Sequence, residues 1–247
     1  MELPGVVYDV TFYQPIHCRV DAYTSLRDQL PQLHQTSGLV RSAVAVSMHE
    51  LDDPDPVKVE AELDDYAQQV LDRVVGADPR ALVAHTHLLL FEEARFRGNL
   101  GDYENPRNSY LSSVLRTRLG LPISLTLVYK AVLERVGVPV LGINAPGHFL
   151  AGIPALASGM TQANSDLALV DPFSGGRLLT RKEALQRVAN LAGPSLLLDG
   201  DLLAPATHKQ WLLRMIRNLM SGFERKDQQD DLAAMLEMLR LVEDEAE

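Results

Sequence analysis

Three side chains have the types and the chain order of an acyl-transfer centre: Ser124, His148 and Asp171. A hydroxyl is a weak nucleophile until a fixed base takes its proton, and the base needs a partner that holds it in one tautomer. Ser124 would attack, His148 would serve as base and then acid, and Asp171 would orient the imidazole. The surrounding residues predict where each one sits. Ser124 lies in Gly120-Leu-Pro-Ile-Ser-Leu-Thr-Leu-Val-Tyr129, where Pro122 predicts a helix start; Gly137 ends that helix after about Val136. A nucleophile in the first helical turn sits at the positive end of the macrodipole, which favours an anion by up to about 2 kcal/mol when partly buried. Backbone N–H groups at 123–125, with the Asn108 side chain, can then serve an oxyanion. His148 follows the turn Asn144-Ala-Pro-Gly147 and opens a predicted strand, and Asp171 closes another strand before Pro172. Neighbouring strands would bring ring and carboxylate together at one sheet edge.

Each residue also has a plainer role. A first-turn serine commonly satisfies the N–H groups of its own helix. A histidine between Gly147 and Phe149 can be a core residue, and an aspartate before a proline can simply start a turn. The trio gains weight from its order and from the elements predicted around it.

Those elements form three blocks. From about residue 23 to 95 the pattern is helical: an apolar helix at Val40–Leu51, a turn at Asp52-Asp-Pro-Asp-Pro56, and a helix entered at Pro56. In the last of these Val59, Leu63, Tyr66, Val70, Leu71 and Val74 recur at three- and four-residue steps and define one buried face. Another helix is predicted from about Pro79 to Arg95. The glycine-containing loop Phe96–Asn105 follows, with Asn105-Pro106 as a helix entry and Gly120 as that helix's stop. Asn99, Asp102, Tyr103, Asn105 and Asn108 are expected to form a structured wall beside the cleft, because dense side-chain acceptors around glycines hold loops by Asx-type turns. Short Val/Leu/Ile-rich runs at 138–144, 148–153, 167–170 and 177–179 predict an antiparallel meander. Helices return at about 181–192, 208–223 and 228–242. Helices, then strands, then helices is the α+β pattern.

Composition narrows the function. With 23 basic against 33 acidic side chains the net charge is −10, and no basic run is present, so nucleic acid is not an expected ligand. The acidic end Glu243-Asp-Glu-Ala-Glu247 is expected to fray. A single cysteine, Cys18, excludes an intramolecular disulfide and suits a reducing compartment. No signal-like N-terminus and no long apolar run are present, so a soluble, cytoplasmic protein without membrane association is expected. His85 and His87 lie two apart on a helix and make a poor metal pair, and Gly98-Asn-Leu-Gly101 does not follow a strand. No metal or cofactor is expected.

Gly120–Tyr129, Pro146-Gly-His-Phe-Leu150, Val170-Asp-Pro-Phe-Ser-Gly-Gly176 and the upstream Phe96–Leu111 together resemble the SirB-type branch of the transglutaminase-like superfamily, over roughly residues 42–242. The resemblance implies a transglutaminase-like, cysteine-protease-like core with an antiparallel sheet, and a tetratricopeptide-like C-terminal pair of helices. The corresponding division is an N-terminal arm and helix at 1–40, the core domain at 41–192 and a helical hairpin at 205–247. By this resemblance His148 and Asp171 would take the places of the superfamily's base and orienter. Ser124 falls at, or within one residue of, its cysteine nucleophile, and Ser112-Ser113 replaces an Asn-Glu-like pair. The implied function is a regulatory or interaction protein with a degenerate, Cys-to-Ser site and a protein or peptide partner. The rival is a serine-dependent hydrolase or acyltransferase.

Overall fold

In the computed structural model, residues 15–52, 54–157, 167–192 and 202–245 are described. Four helices come first: α1 (Val20–Gln29), α2 (Thr36–Ser47), α3 (Pro56–Leu71) and α4 (Pro79–His87), the last continuing in π-type turns to Glu93. Asp55 starts α3 by accepting the Val57 N–H at 2.9 Å, with Pro56 in the first turn, where a missing N–H costs nothing. The face predicted from its periodicity is buried at Val59, Leu63, Tyr66 and Val70, while Leu71 is exposed.

The loop after α4 differs from expectation in a way that matters for the site. Arg97–Gly98 forms β1, which pairs in parallel with β2 (Leu119–Gly120). Asn105 does cap, accepting the Arg107 N–H, but it opens a short 3₁₀ turn at Pro106–Asn108, and the α-helix proper, α5, runs Leu111–Thr117. Arg118, not Gly120, ends α5: it takes a left-handed conformation (φ 62°) and lays its guanidinium over the Tyr66 and Phe96 rings. Gly120 is thereby freed to be a strand residue.

Helix α6 (Pro122–Arg135) is the centre of the molecule, buried from Pro122 to Leu133 and packed against α2, α3, α4 and α5. Beside it lies a five-stranded antiparallel sheet in the order β6-β5-β4-β3-β7: β3 (Leu141–Ile143), β4 (Leu150–Ile153), β5 (Ala168–Asp171), β6 (Arg177–Leu179) and β7 (Pro205–Ala206). The first four match the predicted meander; β7, only two residues long, carries no alternation from which to read it. A short helix α7 (Pro154–Ala157) follows β4, and α8 (Arg181–Ala192) follows β6.

The C-terminal hairpin, α9 (His208–Arg225) and α10 (Gln229–Asp244), packs on this core. Its Trp211 ring lies on the β3 backbone at Gly142, where any Cβ would stand 2.3 Å from the ring, so glycine is required. Helix α10 continues through Asp244, and Lys209 donates to the Glu243 and Glu245 carbonyls; the last two residues of the acidic end lie outside the described residues. At the other end, the backbone N–H groups of Ile16, His17 and Cys18 converge on the Glu237 carboxylate of α10. The part of the expected N-terminal arm before residue 15 lies outside the described residues. No helix among the described residues is long and apolar enough to cross a membrane.

His87 links α4 to α6, its Nε2 lying 2.6 Å from the Tyr129 hydroxyl. Burial pushes the His87 pKa down to about 4, so the ring is neutral and one of its two nitrogens can accept a hydrogen bond. A depressed folded-state pKa means stability is full above the ordinary value of 6.5 and drains away as the pH falls towards about 4. The parent protein is expected to lose melting temperature across that interval, and His87→Gln to lose less, as thermal denaturation at stepped pH would measure.

Candidate functional site

Two of the three chemical residues meet. Antiparallel pairing of β4 and β5 sets Ala151 opposite Val170, which carries His148, just before β4, towards Asp171, at the end of β5. His148 Nε2 stands 3.1 Å from Asp171 Oδ2, a close ion-pair distance, although the contact lies off the N–H axis and is no well-directed hydrogen bond. Asp171 is fully buried. It also accepts the Ser174 hydroxyl at 2.9 Å and the Ser174 N–H, and it pairs with Arg187 of α8. Burial alone would raise its pKa, but the His148 ring, Ser174 and Arg187 outweigh that and hold the carboxyl below its ordinary range. Asp171 is therefore an anion at neutral pH. The other ring nitrogen, Nδ1, has no protein partner among the described residues and is the one available to the cleft that His148 lines.

Phe173 fixes the ring from the side, meeting His148 edge-on at 6.0 Å and Tyr103 edge-on at 6.0 Å. It reaches this place because Gly98 of β1 has no side chain; a Cβ there would stand 2.4 Å from the Phe173 ring. The unexpected β1–β2 pair thus supports the histidine.

Ser124 does not join them. Its hydroxyl donates to the Asn108 carbonyl at 2.6 Å, lies 3.1 Å from the Leu121 carbonyl, and accepts the Leu121 N–H at 3.0 Å. It is fully buried and is not among the residues that line the cleft. The plainer reading of a first-turn serine describes it: the side chain ties the helix start to the preceding 3₁₀ turn. At the start of α6, Leu121, Pro122 and Ile123 face the cleft, and none of them carries a nucleophile.

The asparagine-rich wall exists, mostly behind the cleft surface. Asn99 Nδ2 donates to Asn108 Oδ1, and Asn99 Oδ1 accepts the Asp102 N–H. Asn105 Nδ2 donates to Asp102 Oδ2. Asn108 Nδ2 donates to the Asp102 and Tyr103 carbonyls, so this amide is occupied in the loop and does not supply the expected oxyanion donor. Of the residues expected to line the cleft, Tyr103 does, with Asn105 beside it, whereas Asn99, Asp102 and Asn108 hold the loop from behind.

The cleft itself has a volume of about 280 Å³. Its walls are the Tyr103–Pro106 loop and Gly147–Phe149, its floor is the start of α6, and its fourth side is α9. That last side comes from Arg214, Asn218, Ser221 and Arg225, which sequence reasoning passed over. The signal was present: polar residues recur at i, i+4, i+7 and i+11 on a helix whose other positions are largely apolar, the spacing of one helical face. No group of three or more metal-ligating side chains occurs among the described residues.

A His148–Asp171 pair on an antiparallel sheet, set against the start of a buried central helix, is the arrangement that the transglutaminase-like resemblance implies. The comparisons agree: residues 57–217 match the transglutaminase-like superfamily, and the chain belongs to it. A UPF0162 protein of Xylella fastidiosa is 31% identical over 219 residues, covering 86% of this chain and 75% of that protein. A UPF0162 protein of Pseudomonas aeruginosa is 29% identical over 208 residues, 83% of this chain and 71% of its own. F-box only protein 21 of Mus musculus is 35% identical over 138 residues, which are 56% of this chain but 21% of that protein. No solved structure matches.

Two stability effects follow from these contacts. Ser124→Ala leaves the Asn108 carbonyl with the Leu121 N–H, at 3.2 Å, as its remaining donor and is expected to cost about 1 kcal/mol, read from urea denaturation. Asn105→Ala removes the cap of the 3₁₀ turn and is expected to cost about 1 kcal/mol; an unchanged denaturation midpoint would remove that assignment.

Proposed function

We propose that this protein is a regulatory or interaction protein that keeps the transglutaminase-like cleft as a peptide-binding surface and does not form an acyl-enzyme. One observation carries the reading. The position at which a nucleophile must stand, the start of α6 facing His148, presents Leu121, Pro122 and Ile123, while the Ser124 hydroxyl is held by backbone groups on the far side. Without a nucleophile in reach of Nδ1, the Asp171–His148 pair has no proton to take along the acyl-transfer path. Its remaining use is as a rigid, hydrogen-bonding wall. The similarity to a segment of the much longer F-box only protein 21 fits a module that can be carried within a longer chain.

The rival is a serine-dependent hydrolase, and the exposed Nδ1 favours it. For Ser124 to attack, its hydroxyl must leave all its backbone partners and turn through the helix start. Enzyme and scaffold separate on two measurements. A serine-reactive fluorophosphonate probe is expected to leave Ser124 unlabelled. The Ser124→Cys variant is expected to alkylate slowly with iodoacetamide near neutral pH, because its thiol would be as enclosed as the hydroxyl is now. The built-in reference is Cys18, whose thiol burial pushes up to about 12, with Glu237 adding to the shift, so it too reacts slowly. Fast alkylation at position 124 that disappears with His148→Ala would establish the enzyme reading instead.

A further inference from the structure

The α9 side of the cleft carries a charge with no opposite partner. Arg214 is partly buried, and no carboxylate lies within ion-pair distance of it among the described residues. Its bonded neighbours are the neutral oxygens Asn144 Oδ1 and the Ala145 carbonyl, both reached through Nη1. The Phe149 ring lies 5.5 Å from the guanidinium carbon and holds the group in place. Among the described residues Nε and Nη2 have no hydrogen-bond partner, and together they form an edge of the fork that takes a carboxylate bidentately. Burial of this cation lowers its pKa, with the nearby Tyr103 phenol partly opposing the shift.

We propose that the cleft recognises a carboxylate-bearing peptide segment, with Arg214 as the ion-pairing residue and Asn218 and Ser221 as hydrogen-bonding neighbours. This deepens the peptide-binding reading given above and rests on it. Three features support the choice of ligand. A buried charge is costly unless paired, so a ligand carboxylate completes a pair that the fold leaves open. The start of α6 on the cleft floor adds the positive end of a helix dipole, and its N-cap residue, Leu121, offers no side-chain oxygen to satisfy it. At the rim, Arg225 is paired with Glu104, but both are more than half exposed (56% and 54%), so a ligand can exchange with Glu104. All this occurs in a chain of net charge −10, so the cation selects locally against the general repulsion of acidic partners. The cleft, at about 280 Å³, is near the lower end of small-ligand sites and suits one or two residues of a peptide.

The source of the carboxylate, an acidic side chain or a chain terminus, is separated by three probe peptides titrated into the full chain. The first is acetyl-Gly-Leu-Glu-Gly-amide; the second replaces its Glu with Gln; the third is the Gln peptide with a free C-terminal acid. The readout is the NMR shift of the Arg214 Nε–H and of the Ile123 amide. Saturable shifts with the first or third peptide, and binding at least about tenfold weaker for the Gln amide, are expected, and the stronger of the two names the source. Arg214→Met is expected to erase the preference, and Arg214→Lys, which keeps the charge without the fork, to retain part of it. Equal binding of the Glu and Gln amides overturns carboxylate recognition while leaving the peptide-binding cleft intact. An unchanged preference in a folded Arg214→Met protein overturns the assignment of Arg214. If no peptide moves the cleft resonances, both the inference and the peptide-binding reading fall.

Discussion

Complete burial of α6 is the constraint on which the rest depends. From Pro122 to Leu133 every residue of this helix is buried, so each polar side chain on it must find an internal partner. Thr126 returns its hydroxyl to the Pro122 carbonyl at 2.7 Å. Lys130, 5% exposed, pairs with Glu134 and donates to the Val140 carbonyl at 2.6 Å, which holds the chain entering β3. Tyr129 finds His87, and Ser124 finds Asn108 and Leu121. The same rule that makes the helix a sound core ties the Ser124 hydroxyl to backbone groups at the helix start.

The cleft is built where that buried helix begins, and its other sides are supplied from far along the chain. The histidine depends on Phe173, and Phe173 depends on the bare backbone of Gly98. The aspartate depends on Arg187 of α8 and on Ser174. Helix α9 reaches the cleft because Trp211 seats it on Gly142, and it is braced by α10, whose Glu237 also gathers the N–H groups at the start of the described chain. The C-terminal hairpin is therefore part of the cleft's wall, and the polar stripe it presents decides the charge inside.

Much of this was legible in the residues. Periodicity located α3 and its buried face, and Asn105 was identifiable as a cap because an Asn before a Pro has few other uses at a helix entry. The meander was readable from short β-branched runs between turn residues, and with it the approach of His148 to Asp171, since antiparallel neighbours in a meander share their edges. Less legible were β1, β2 and β7, each two residues long and without alternation, and the left-handed Arg118 that ends α5 in place of Gly120. A positive φ at an arginine has no local signature; the Tyr66 and Phe96 rings under its guanidinium come from distant segments.

By itself the sequence determined the class of fold, the helical and strand blocks, and the approach of His148 to Asp171, because these rest on spacing within short segments. Only the tertiary structure decided which way the groups face. On a helix buried all round, residue type does not say whether a hydroxyl points to a cleft or to the backbone, and the choice at Ser124 went to the Asn108 carbonyl, sixteen residues earlier in the chain. In the same way, the stripe on α9 is only a polar face until packing sets it against His148. Orientation is a property of contacts between distant segments, and those contacts are made only when the chain closes on itself.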